Sequence, residues 1–342
     1  KNIFFKLKIY NIYKRFKIIM KNKLLKNFKI YVAGHNGMVG RAVVRYLKKE
    51  GVRNIIFAER KKLNLLNTKD LEKFIRSKKP DIVINCAGRV GGILANSSYP
   101  VEFMNENIFI QLNLINLSYK YKIKHFVNLG SSCIYPKNSK QPIKEKYLLS
   151  NQLEKTNEAY ALAKIVGLKV CEFYNQQYKT NFFTLMPCNL YGPYDNFHLK
   201  NSHFIPALIK KFIEAKRRKK NFVEIWGSGL PRREVMYVDD LANAIGYLLK
   251  LKVNNDKKLL KILKNNSLIN VGSGQEFQIR KFAEIINKLT FSNKKLKFNK
   301  KYPDGTKRKI LDISILKKIG WKSQINLYEG LKNTISWYKT NY

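Results

Sequence analysis

Short apolar runs alternate with longer segments of helical periodicity through the first half of the chain. β-Branched residues dominate runs such as residues 81–86, whereas residues 101–121 place apolar side chains at helical spacing. Strands that alternate with helices predict βαβ crossovers and a parallel sheet covered on both faces. The predicted fold class is α/β, a Rossmann-like doubly wound parallel sheet. Strands are predicted at 28–33, 54–58, 81–86, 125–129 and 182–186, and helices at 37–49, 70–76, 101–121 and 158–178.

The pattern loosens after Tyr191. Two Gly-Ser-Gly turns, at 227–229 and 272–274, separate shorter elements and predict a smaller, mixed α/β domain. Residues 28–190 are therefore interpreted as a dinucleotide-binding domain and residues 191–342 as mainly a substrate domain. A helix near 239–250 is predicted to return to the first sheet, and residues 328–338 look amphipathic.

Length and charge refine this picture. The 342 residues suit two domains, and 67 Lys+Arg against 23 Asp+Glu give a net charge of +44. Only 13 of these cations are Arg, the residue best suited to phosphate recognition, and the Lys residues are spread along the whole chain. We therefore expect no nucleic-acid partner. The basic run 216–220 is interpreted as a solvated helix end.

The N-terminal residues and the cysteines indicate where in the cell the protein is found. Residues 1–27 hold nine cations and no acid, which is too polar for a membrane span or a secretory signal. This basic leader is interpreted as sequence upstream of a start at Met20, and a transit peptide is the alternative. Four scattered cysteines without a CxxC pair favour free thiols, a cytoplasmic location and no metal site.

A glycine-rich turn follows the first predicted strand and opens a helix. Its sequence is Gly34-His35-Asn36-Gly37-Met38-Val39-Gly40. Glycine allows the tight turn and the close approach of a pyrophosphate to the helix N-terminus, so this turn predicts dinucleotide binding. At the end of the second strand, Glu59 leaves NAD possible, whereas Arg60, with two lysines behind it, favours the 2′-phosphate of NADP.

A second motif combines Tyr160 and Lys164, which lie four residues apart on one face of a predicted helix. An ammonium group near a phenol is expected to lower the pKa of the phenol, which can then exchange a proton with a substrate oxygen. Ser131, just after the strand that ends near Gly130, can donate a hydrogen bond to the same oxygen.

The glycine turn, the serine at the strand end and YxxxK together resemble the extended short-chain dehydrogenase/reductase family, from about residue 28 to the C-terminus. The segments 90–93, 130–136, 189–197 and 201–203 resemble its sugar-nucleotide epimerase-reductases. The resemblance implies epimerisation of a GDP-4-keto-6-deoxy sugar at C3 and C5, and then NADPH-dependent reduction at C4. It makes Cys133 the base and His203 the acid of the epimerisation, and nearby cations are expected to lower the pKa of the thiol.

The same resemblance implies the remaining site residues. NADP(H) would contact residues Gly34, His35, Asn36, Gly37, Met38, Val39, Gly40, Arg60, Asn64, Leu65, Ala87, Leu129, Gly130, Ser131, Ser132, Lys164, Pro187, Cys188, Asn189, Leu190 and His203. The GDP-sugar would contact Lys211, Trp226, Arg233 and Asp304.

Two positions depart from the family pattern, in which arginine usually stands where this chain has Asn36 and Lys211. Two alternatives stay open: an epimerase or dehydratase that keeps its cofactor bound through turnover, and an inactive Rossmann-like protein that binds RNA. Ser132-Cys133 stands where dehydratases place two acids, and no Arg cluster favours RNA. A homodimer is the expected oligomer.

Overall fold

The computed structural model describes residues 24–199, 202–265, 267–302 and 304–342. Most of the basic leader, residues 1–23, lies outside the described residues. The first half contains β1 (Ile30–Ala33), α1 (Met38–Lys49), β2 (Ile55–Ile56), α2 (Thr68–Lys78), β3 (Ile82–Asn85), α3 (Ile93–Ser98), α4 (Pro100–Lys120), β4 (His125–Leu129), α5 (Glu158–Tyr178), β5 (Phe182–Pro187) and β6 (Asn189–Tyr191).

Six parallel strands form the main sheet in the order β2-β1-β3-β4-β5-β9, where β9 is Leu268–Val271. Every residue of β1 and β3 is buried, because helices cover both faces, and both strands are accordingly apolar apart from Asn85 at the end of β3. Ile30 and Val32 pack into the core on one face, whereas Tyr31 and Ala33 pack into the core on the other. The predicted α/β class is confirmed.

The strand order reverses between β1 and β3, since β2 lies on one side of β1 and β3 on the other. In doubly wound sheets this switch point opens a crevice at the carboxyl ends of the strands, where ligands bind. The glycine turn after β1 and the segments after β3 and β4 meet at this edge. The sheet therefore positions the predicted site residues that come from distant parts of the sequence.

The second half contains α6 (Phe204–Arg217), β7 (Phe222–Trp226), β8 (Arg232–Tyr237), α7 (Val238–Val253), α8 (Lys257–Asn265), β9, β10 (Glu276–Gln278), α9 (Ile279–Leu289), β11 (Lys295–Asn299), β12 (Arg308–Lys309), α10 (Ser314–Lys318) and α11 (Leu327–Asn341). Strand β8 pairs with β6, β10 and β12, and β7 pairs with β11. A separate apolar core around Phe212, Ile225, Phe282 and Leu331 is formed by α6, β7, β8, α9 and α11.

Two predictions for the second half can be compared with this arrangement. The returning helix is α7, which packs against α1. Strand β9 also returns to the main sheet, which the sequence analysis did not predict. The basic run at 216–220 begins inside α6 and continues past its last residue, Arg217, as expected for a helix end. Within the described residues, no helix is long and apolar enough to cross a membrane.

Candidate active site

The glycine turn joins β1 to α1, as the sequence analysis predicted. Gly34 has φ +78°, and a Cβ atom there would lie 2.7 Å from the backbone of Ala87, after β3. A Cβ atom at Gly40 would lie 2.2 Å from the carbonyl oxygen of Gly34. Only glycine permits this close approach, which leaves the first amides of α1 facing the crevice, as a dinucleotide pyrophosphate requires.

Four predicted catalytic residues come together at the carboxyl end of β4. The Ser131 hydroxyl accepts a hydrogen bond from the backbone amide of Cys133 at 3.4 Å, and its side chain is near enough to the Tyr160 hydroxyl and the Cys133 thiol to lower the pKa of each. Lys164 lies one turn after Tyr160 on α5, and its Nζ is 5.7 Å from the centre of the phenol ring. The Lys164 ammonium also donates a hydrogen bond to the carbonyl oxygen of Leu129 at 3.0 Å.

The electrostatics of this group differ from two expectations. Burial raises the pKa of Tyr160, the nearby Cys133 thiol raises it further, and only the hydrogen bond with Ser131 opposes this. Burial also raises the pKa of Cys133, although the positive charges of Lys309 and Lys164 and a hydrogen bond with Ser131 oppose the rise. The expectation of a lowered pKa is therefore wrong for both groups, because desolvation is the largest influence on each and, at Cys133, outweighs the charges of the two lysines.

The pKa of Lys164 shifts in the opposite direction to those of Tyr160 and Cys133. Burial lowers its pKa from 10.5 to about 8, and the neighbouring thiols of Cys133 and Cys86 only partly oppose this. The side chain is 4% exposed. The protein thus retains a desolvated ammonium group beside the phenol, although it destabilises the fold.

Lys164→Met is expected to raise the free energy of unfolding at pH 7 by about 2 kcal/mol. Removing the buried charge stabilises the folded protein by about 1.4 kcal/mol for each unit by which burial lowers the pKa of Lys164. Losing the hydrogen bond to Leu129 offsets about 1 kcal/mol of this gain. A lowered folded-state pKa means that the unfolded chain binds more protons between pH 8 and 10.5. The wild type therefore gains stability over that range, and the advantage of the variant shrinks.

Urea unfolding at several pH values checks this expectation. Lys169→Met, on the same helix, is the matched control because Lys169 forms a partly exposed ion pair with Glu172. The control should change little, and its effect should not follow this pH dependence. If Lys164→Met exceeds the wild type in free energy of unfolding by as much at pH 10 as at pH 7, the buried ammonium is not the cause of the difference.

His203 immediately precedes α6, where it is the N-cap residue. Its side chain keeps exposed surface, yet burial by the surrounding protein lowers the pKa of its imidazole, and the charge of Lys309 lowers it further. A residue that is exposed in part while its imidazole is desolvated is typical of the wall of a cleft.

Lys309 is a residue of this site that the sequence analysis missed. It lies on β12 opposite Arg233 of β8, and it lines a small recess with Ser132, Asn189 and Glu234. Its charge acts on both the Cys133 thiol and the His203 imidazole. No motif marks Lys309, because β12 has only two residues and reaches the site only through its pairing with β8.

The segments expected at the adenosine end of a cofactor follow β2 and β3. Arg60 is exposed, and its guanidinium lies 3.8 Å from the Glu106 carboxylate. The Asn64 side chain accepts a hydrogen bond from the amide of Leu66, and the carbonyl of Leu65 accepts one from Asn113. Both contacts order the loop beside Arg60. At the other end of the crevice, β5 leads into β6, which contains Asn189 and Leu190.

The four residues predicted to bind substrate form one cluster around β7 and β8. Lys211 Nζ lies 4.7 Å from the centre of the Trp226 ring, and Trp226 stacks on Tyr302 at 4.4 Å. The Asp304 carboxylate accepts hydrogen bonds from Ser228, and its charge acts on the Arg233 guanidinium. Tyr302 was not predicted as a site residue; it lies beside Trp226 and is 42% exposed.

The fold and the group of side chains at the end of β4 are those of a dinucleotide-dependent enzyme. A family model described as "NAD dependent epimerase/dehydratase family" matches residues 30–272. The chain belongs to this family, and the resemblance inferred from its motifs is confirmed.

Named relatives cover nearly the whole chain. GDP-L-fucose synthase 1 of Arabidopsis thaliana is 44% identical over 316 residues, which are 92% of this chain and 94% of the relative. GDP-L-fucose synthase of Escherichia coli is 42% identical, with 92% and 97% covered. The structure of a GDP-mannoheptose C4 reductase from Campylobacter jejuni with NADP bound matches with a TM-score of 0.83 at 35% identity, and 93% and 100% are covered.

Proposed function

We propose that the protein converts GDP-4-keto-6-deoxy-D-mannose into GDP-L-fucose by epimerisation at C3 and C5 and NADPH-dependent reduction of the C4 ketone. One observation carries this proposal: Ser131, Cys133 and Tyr160 share hydrogen-bonding and electrostatic contacts at the end of β4. The names of the relatives from Arabidopsis thaliana and Escherichia coli support the choice of substrate.

The first step requires proton transfer at carbons that flank a ketone. These carbons are acidic only when the enolate oxygen is stabilised, and the hydroxyls of Ser131 and Tyr160 can donate hydrogen bonds to it. In this proposal the Cys133 thiolate removes the proton from one face, and His203 supplies one on the other. Burial raises the pKa of Cys133, and the positive charge of Lys309 opposes this rise. More thiolate is therefore available than burial alone would allow.

The second step uses the same oxygen. NADPH, when bound, supplies the hydride that reduces C4. Negative charge then develops on the C4 oxygen, and the Tyr160 hydroxyl can donate its proton there, because an alkoxide is more basic than a phenolate. Burial, the largest influence on this phenol, raises its pKa and keeps it protonated at neutral pH.

The glycine turn and Arg60 fit the cofactor. The turn offers free helix amides to the pyrophosphate, and Arg60 provides a solvent-exposed guanidinium after β2, where a 2′-phosphate is recognised. For the GDP-sugar, Arg233 offers a charged fork to the diphosphate, and the exposed ring of Trp226 offers a stacking surface. Lys211 can neutralise charge but cannot form a planar fork.

The direct test supplies the keto sugar and NADPH to the purified protein. We expect equimolar oxidation of NADPH and formation of GDP-L-fucose, followed by absorbance and by NMR of the product. An epimerase or dehydratase that recycles its cofactor would transform the sugar without net consumption of NADPH. If a folded sample consumes no NADPH and leaves the sugar unchanged, the proposal is wrong.

We further propose a homodimer and a cytoplasmic location. Helices α4 and α5 pack side by side, and both expose large apolar side chains at helical spacing, namely Val101 and Phe109 on α4 and Leu162 and Phe173 on α5. Exposed apolar patches of this kind are typical of protein interfaces. Sedimentation analysis tests the dimer. The four free cysteines support a reducing compartment.

A further inference from the structure

A guanidinium group lies at the start of α1 that the sequence analysis did not assign. Arg41 Nε donates a hydrogen bond to the carbonyl oxygen of Asn36 at 3.0 Å, and Arg41 Nη2 lies 3.5 Å from the Asn36 side-chain oxygen. Helical side chains lean toward the N-terminus of their helix. Arg41, the fourth residue after the cap residue Gly37, therefore reaches back over the first turn to the glycine-rich loop.

A second contact holds the guanidinium in place. Arg41 Cζ lies 4.3 Å from the centre of the Tyr194 ring, which follows β6. The ring and the Asn36 carbonyl restrict the side chain from two directions, so little rotamer freedom is left to lose when a ligand binds. A guanidinium has five donors, and the contacts with Asn36 occupy only two of its nitrogen atoms.

We propose that Arg41 binds the pyrophosphate of the dinucleotide cofactor. The pyrophosphate sits at the N-terminus of the helix after the first strand, which is where the guanidinium lies. Arg60 follows β2 at the adenosine end, so the two arginines serve different phosphates. Arg41 thus supplies the positive charge that Asn36, a neutral residue in the middle of the glycine turn, does not. This inference rests on the proposed cofactor and not on the proposed sugar chemistry.

Binding of NADPH and of NADH to the wild type, Arg41→Ala and Arg45→Ala tests the proposal without any sugar. Arg45 is the matched control, because it lies one turn further along α1 and pairs with Asp239 away from the glycine turn. Fluorescence titration should show that Arg41→Ala weakens both cofactors by about tenfold to a hundredfold, the range for a hydrogen bond to a charged group. Arg45→Ala should retain wild-type affinities.

Arg41→Lys keeps the charge but loses the fork, so we expect an intermediate affinity and a fold as stable as that of the wild type. An equal loss for both cofactors supports the pyrophosphate contact. A loss confined to NADPH would place the guanidinium on the 2′-phosphate and overturn the assignment, as would unchanged affinity in Arg41→Ala. A wild type that binds neither cofactor would overturn the proposed cofactor itself.

Discussion

Cys133→Ser is expected to reduce the uptake of deuterium from heavy water at C3 and C5 of the keto sugar by about 10²- to 10⁴-fold, the usual contribution of a general base. The hydroxyl of serine is far less acidic than a thiol, so almost no anion is available at neutral pH. Because Ser131 and Tyr160 remain, NADPH binding should be retained. NMR of the recovered sugar and a cofactor titration measure the two quantities separately.

The pH dependence of exchange sharpens this test. Burial raises the pKa of Cys133 against the opposing charges of Lys309 and Lys164. A raised pKa leaves less thiolate at neutral pH, so the exchange rate of the wild type should increase as the pH rises through the ordinary thiol value of about 8.5 and beyond it. In Cys133→Ser this increase should disappear.

Cys171→Ser is the matched control. Cys171 is a buried thiol on α5 that lies beside Thr184 in the core, far along the helix from Tyr160. A serine there is close to cysteine in size and lies far from the reacting carbons, so exchange should stay close to that of the wild type. Equal exchange in Cys133→Ser and Cys171→Ser would remove Cys133 from the role of base.

The first half of the fold was predictable because its strands are buried on both faces. Continuous apolar runs such as β1 stand out against the helical periodicity of α5, whose limits agree with the predicted 158–178. The second half was less accessible. Strand β9 is just as buried, but it joins the main sheet beside β5, about eighty residues earlier in the chain, and nothing local records that pairing.

The site shows the same division. Tyr160 and Lys164 share one helix, and Ser131 and Cys133 share one turn, so spacing alone could place them together. Lys309 reaches the thiol only because β12 pairs with β8, a contact between distant segments. The net directions of the pKa shifts were also beyond the sequence, since they depend on how far burial outweighs neighbouring charges.

Tyr160→Phe is expected to impair both chemical steps, reduction of the C4 ketone and exchange at C3 and C5, each by about 10²-fold or more. The substitution removes only the hydroxyl. The ring can still pack edge-to-face against Phe103, at 6.1 Å between centres, and beside the Lys164 ammonium. Lost activity would therefore report on the oxygen contact and not on packing.

The comparison with Cys133→Ser separates the two roles. If one oxygen-binding site serves both steps, Tyr160→Phe should lose exchange and reduction together, whereas Cys133→Ser should still reduce a keto sugar that is already epimerised. Tyr174→Phe is the control, because Tyr174 lies on the same helix and its hydroxyl bonds Asn116 outside the crevice. Full exchange with lost reduction in Tyr160→Phe would mean that the enolate is stabilised elsewhere, and Ser131 alone would then hold the C4 oxygen during epimerisation.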